Sequence, residues 1–185
     1  MSYDFSGGYK IRDQYAPHFL TFTVMGWIDI FSRRIYRDII LESMLYCKTH
    51  KELQIGAYVI MTNHMHTIWT SPSGHLSDTI RDFKTYTSKT IIKAINENPE
   101  SRKEWLDFMF KFYANTSNKN DLYKLWTNNN HPEAIYSKEF LFTKLNYIHQ
   151  NPVKGGFVSK GQDYLYSSAS NYMIGKGIFN VDLFY

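Results

Sequence analysis

Residues 59–69, Val59 to Trp69, read VIMTNHMHTIW. With the residues on either side, this stretch forms two extended runs, LQIGAYVIM and HMHTIWT, separated only by Thr62 and Asn63. Two apolar runs joined by a two-residue polar link predict a hairpin or closely turned strand pair. Strand side chains alternate faces, so His64 and His66 share one face and Met65 takes the other. Two residues of strand advance roughly 6–7 Å, so rings leaning together can reach one ion. On its own the pair reads more readily as two polar residues near a turn than as metal ligands. Two protein ligands are also too few for a tight metal site, which calls for a third.

Upstream, HFLTFTVMGW (His18 to Trp27) carries large groups on both faces, which predicts a central strand. A helix follows over about 33–48, where Ile35, Ile39, Glu42 and Leu45 recur by fours and threes behind Ser32 as N-cap. Downstream, SPSGH ends the paired unit. A second long helix is expected over 76–96, with Ile80, Phe83, Thr87, Ile91 and Ile95 near one face. The tract 97–124 is polar apart from a helical patch at 105–113, and reads as an insertion or mobile segment. A strand is expected at 122–126 and a helix at 137–151, stopped by Pro152, which lacks the N–H to continue it. Strand, helix, strand pair, helix, strand, helix is the order of an α+β fold, an antiparallel sheet with helices on one face.

The length, 185 residues, suits one domain with a sizeable core, residues 1–185. A net charge of +4 permits a polyanionic partner without demanding one. The single cysteine, Cys47, cannot close an internal disulfide and reads as a core residue, so the cytoplasm is the expected compartment. The first residues, MSYDFSGGYKIRDQYAP, lack the apolar centre of a signal peptide, and no apolar run approaches a membrane span.

The stretch LNYIHQNPVKGGFV (Leu145 to Val158) bears on the histidines. Tyr147 and Asn151 stand four apart and share a helix face. The expected helix end puts the Asn151 amide where it can be aimed outward, with Gln150 its rival. Tyr147 alone would be an ordinary tyrosine on an amphipathic helix. Combined with an HxH strand, it supplies a nucleophile beside a metal that polarises phosphate.

MTNHMH followed by YIHQNPVKGGFV resembles the REP-associated tyrosine transposases, relatives of the single-tyrosine HUH transposases. LWTNNNHPEAI and YLYSSASNY resemble further segments of that family, so the likeness runs from about His18 to Tyr172. It departs at Thr62, where the family commonly has proline, and at 97–124, which is longer than in compact members. The resemblance implies the ferredoxin-like HUH endonuclease fold. It also implies His64, His66 and Asn151 as metal ligands, Mg2+ or Mn2+ as the ion, and Tyr147 as nucleophile. The implied reaction is nicking and strand transfer on single-stranded DNA through a 5′-phosphotyrosine link, on hairpins from repeated palindromes. Arg81, Lys84, Lys89, Lys93 and Lys154 are candidate DNA contacts, and a solvated face explains them equally well. Monomer and homodimer both remain open. So do two rival readings, a hairpin-binding protein that does not cut and a metallohydrolase that uses water.

Overall fold

The computed structural model describes residues 10–116 and 122–184. Its centre is a four-stranded antiparallel sheet of β1 (His18–Thr23), β2 (Gln54–Ile60), β3 (His64–Thr70) and β4 (Glu133–Ala134), in the order β2-β3-β1-β4. With α1 (Arg34–His50) after β1 and α2 (Leu76–Glu97) after β3, this is the ferredoxin-like arrangement. The hairpin forms as expected: β2 and β3 pair antiparallel and the Met61 N–H donates to the His64 carbonyl at 2.8 Å. Its turn is held from outside, because the Val24 and Phe31 N–H groups donate to the Asn63 and Thr62 carbonyls.

The two sheet faces have different neighbours. Leu20, Phe22, Met65 and Trp69 point to one of them. There Phe22, Trp69 and Phe83 of α2 pack ring against ring, with centroids 5.1–5.4 Å apart. Apolar residues of α1 recur every three or four positions (Tyr36, Ile40, Met44, Cys47) and bury the same layer. Burial pushes the Cys47 thiol up to about 11, in keeping with a core residue. Phe19, Thr21, Thr23, His64 and His66 point to the opposite face, which α4 (Lys138–Lys154) crosses. Two helices thus line one face and one helix the other.

Several details differ from the sequence expectation. No strand spans 122–126; Trp126 makes a single bridge to Val24, and β4 lies later, at Glu133–Ala134. Residues 125–130 still run along β1, with hydrogen bonds from Met25 N to Leu125 O, Thr127 N to Thr23 O and Thr21 N to Asn130 O. His131, with φ +42°, and Pro132, with no N–H, break that ladder into two pieces. Helix α1 begins after a 3-10 turn that includes Ser32, so Ser32 does not cap it. Between α2 and β4, Lys103–Asn115 forms α3, which buries Leu106, Phe110 and Ala114. Residues 117–121 of the expected insertion lie outside the described residues.

The most consequential difference concerns α4. It does not stop at Asn151 but includes Pro152 and ends at Lys154. In the last turn a proline forfeits only one backbone bond, and its buried ring packs into the core side. Gly156, at φ +74°, then reverses the chain in a conformation that costs glycine little. The C-terminal stretch covers the outer edge of β2, through Ile60 N to Tyr166 O, Ser168 N to Tyr58 O and Asp182 N to Ile55 O.

Candidate active site

The β1–β3 register sets Thr21 opposite His66 and Thr23 opposite His64. The two imidazoles meet edge to face, with centroids 4.8 Å apart. Each ring is anchored through Nδ1. His64 Nδ1 donates to Asn63 Oδ1 at 2.7 Å, since an amide oxygen only accepts. His66 Nδ1 is engaged by the Thr21 hydroxyl at 2.9 Å. Nε2 is therefore the ring nitrogen left available on each histidine. Burial lowers the pKa of His64. Burial, then His64 and Lys144, lower that of His66 to about 3. Both rings are neutral at neutral pH, the state in which imidazole binds a metal.

Helix α4 brings the tyrosine. The Tyr147 ring lies edge-on to His66 at 5.1 Å and to Phe19 at 5.7 Å, while Phe19 stacks on His66 at 5.3 Å. Tyr147 is nevertheless 40% exposed, so a substrate can reach it. Lys144, Tyr147, Asn151 and Lys154 follow spacings of three and four and form one stripe. Lys154 Nζ stands 6.0 Å from the Tyr147 ring centre. Lys144 Nζ sits 4.3 Å from the Phe19 ring centre and 2.7 Å from Glu133 Oε1. The Asn151 carbonyl accepts from Gly155 N in the helix ladder, and its side-chain amide makes no hydrogen bond among the described residues. Asn151 thus remains available as a third donor, and it does not cap the helix.

The donor set fits a divalent ion. It offers two neutral imidazoles with anchored rings and one unengaged amide on a neighbouring helix. No group of three His, Cys, Asp or Glu side chains suited to a metal occurs among the described residues. Asn151 stands one helical turn beyond Tyr147, whose ring contacts His66.

The sequence reading and the structure agree on bringing His64, His66, Tyr147 and Lys154 together. The other cations named, Arg81, Lys84, Lys89 and Lys93, lie on α2, which packs on the far side of the sheet. Three contributors were missed. Asn63 carries a local signal, as an amide directly before the first histidine. Lys144 carries another, three residues before Tyr147. Thr21 carries none, because only the strand register places it against His66.

A family model, the IS200-like transposases, matches residues 27–125, more than half of the chain. The chain belongs to the IS200-like transposase family. The matched segment holds both histidines, and Tyr147 lies beyond it. A solved REP-associated tyrosine transposase bound to a REP hairpin superposes with a TM-score of 0.64. The alignment covers 97% of this chain and 92% of that one at 18% identity, which establishes the shared fold. A protein from Deinococcus radiodurans R1 with a provisional transposase assignment gives a TM-score of 0.45 at 14% identity, over 80% of this chain and 95% of that one. Among curated proteins, none matches. No helix among the described residues is long and apolar enough to cross a membrane.

Proposed function

We propose that this IS200-like transposase is of the REP-associated type, and that it cuts and rejoins single-stranded DNA through Tyr147. The observation that carries the reading is the placement of an exposed tyrosine edge-on to His66, beside a second histidine whose Nε2 is also free. The Tyr147 oxygen attacks the scissile phosphorus. The bond from phosphorus to the 3′ oxygen breaks, leaving a 5′-phosphotyrosine link and a free 3′-hydroxyl, which takes up a proton as the phenol loses one. One phosphodiester replaces another, so the hydroxyl can attack in reverse and strands can be rejoined without an external energy source.

His64, His66 and Asn151 would hold Mg2+ or Mn2+, which supplies Lewis-acid polarisation of the phosphate when bound. Asn63 and Thr21 keep the two imidazoles oriented, as outer-shell partners of metal-bound histidines do. Lys144 and Lys154 flank Tyr147 along α4 and offer positive charge to the phosphate oxygens. Lys144 is also tied to Glu133, so it is held in place before substrate arrives. The substrates proposed are hairpins of repeated palindromic DNA, as in the solved relative. A DNA substrate and a buried free Cys47 suit a cytoplasmic setting.

The test is incubation with labelled hairpin DNAs that carry single-stranded flanks, with Mn2+ and with chelator, resolved on denaturing gels. Metal-dependent nicking that leaves a protein-linked 5′ end and a free 3′-hydroxyl is expected. Products with a free 5′-phosphate and no linked protein would mean that water is the nucleophile.

A further inference from the structure

A cleft of about 700 Å3 lies on the α2 side of the sheet, between that helix and residues 122–130. Five cationic residues line it, Arg81, Lys84, Lys89, Lys93 and Lys124, and none of the described lining residues is a carboxylate. Ile80, Ile92 and the exposed Leu122 add apolar surface. Cations beside apolar surface suit a nucleic-acid strand, which has both a charged backbone and flat bases.

The cations have different duties. Lys84 Nζ donates to the Thr127 carbonyl and to Asn130 Oδ1, so it ties α2 to the cleft wall. Arg81 pairs with Asp78 and Asp82, and Lys93 stands 3.9 Å from Glu97. Exposed pairs of this kind are weak and can be exchanged for phosphate. Lys89 and Lys124 pair with no carboxylate among the described residues.

The wall of the cleft leads to the histidines. Asn130 lines the cleft, its carbonyl accepts from the Thr21 N–H, and the Thr21 hydroxyl engages His66. One strand, β1, thus separates cleft and site at the sheet edge where β4 is only two residues long.

We propose that this cleft binds the single-stranded DNA flank that continues past the β1 edge to the scissile phosphate at Tyr147. The direction of the strand rests on Tyr147 being the nucleophile; the binding does not. The occupant is one strand, because unpaired bases can lie against the Ile80, Ile92 and Leu122 surface while the cations take the backbone.

The experiment measures anisotropy of a short fluorescein-labelled oligothymidine, and of its duplex with oligoadenosine, against the full chain. Lys89→Glu with Lys124→Glu should weaken single-strand binding by about tenfold or more and reduce the salt slope by about two. Lys176→Glu, an exposed lysine near α5 (Ala169–Ile174), should leave it nearly unchanged. Crosslinks from 4-thiothymidine should map to α2 and residues 122–130, a readout that stands even if the double variant folds poorly. Unchanged affinity in a folded double variant, crosslinks confined to α4, or equal affinity for the duplex would each overturn the proposal. Cleft crosslinks without any covalent adduct would leave the proposal standing and defeat only the nicking reading.

Discussion

The Tyr147 ring stands edge-on to His66, 5.1 Å away between centroids and inclined by 72°. Phe19 touches both rings, so a residue of β1 sets the distance between the α4 tyrosine and the β3 histidine. The Tyr147 hydroxyl makes no hydrogen bond among the described residues. Tyr147→Phe should therefore keep the fold and the affinity for DNA, while nicking falls by roughly a thousandfold or more. Melting curves and anisotropy checked beside the nicking rate test this. Residual nicking near the wild-type rate would move the nucleophile to another residue.

His64→Ala and His66→Ala should each abolish Mn2+ binding at the site, read by isothermal titration calorimetry, and metal-dependent cleavage with it. Asn63→Ala should be milder. It removes the acceptor that orients the His64 ring and should weaken metal affinity by about 10- to 100-fold. If all three variants bind Mn2+ as the wild type does, the histidine pair is structural.

Asn151→Ala should weaken metal affinity by roughly tenfold, about 1.4 kcal/mol, with little change in melting temperature, because its amide supports nothing else among the described residues. High Mn2+ should restore part of the cleavage rate by mass action. Gln150, three residues after Tyr147 and so near the same face, is the rival ligand, and Gln150→Ala should do neither. The reverse pattern in the two titrations would transfer the ligand role to Gln150.

On its other side α4 docks through His149, whose Nε2 lies 2.9 Å from Ser168 Oγ and whose ring leans on Tyr172. Burial lowers its pKa to about 4, against an ordinary value near 6.5. Between those values the unfolded chain binds a proton that the folded one refuses. The stability is therefore fully present above about pH 6.5 and is lost as pH falls toward 4. The loss should be up to about 3 kcal/mol, with His66 adding in the same direction. Denaturant titrations across that window should show a shallower slope for His149→Gln than for the wild type. Equal slopes would show that His149 protonates as readily in the folded chain.

Much of this arrangement is written in local patterns. Alternation along HMHTIWT fixes which side the histidines take, and the spacing of Tyr147 and Asn151 fixes a shared helix face. Both are short-range consequences of backbone geometry. The fourth strand was misplaced because Leu122 to Trp126 has strand-forming side chains, yet pairing depends on the partner edge and on His131 and Pro132 beyond. The end of α4 was misjudged because a proline in the last turn is tolerated once its ring finds a buried place. Thr21 acts across elements, through strand register, and no local pattern carries such information, whereas Lys144 is marked by its spacing from Tyr147.

The central claim is that Tyr147 forms the covalent bond to DNA. The most direct measurement is mass spectrometry of tryptic peptides after reaction with a hairpin substrate and nuclease trimming. The account predicts a nucleotide-sized mass on the peptide containing Tyr147, absent without divalent metal and absent in Tyr147→Phe. The same mass on a peptide bearing Tyr113, Tyr123 or Tyr136, with Tyr147 unmodified, would contradict it.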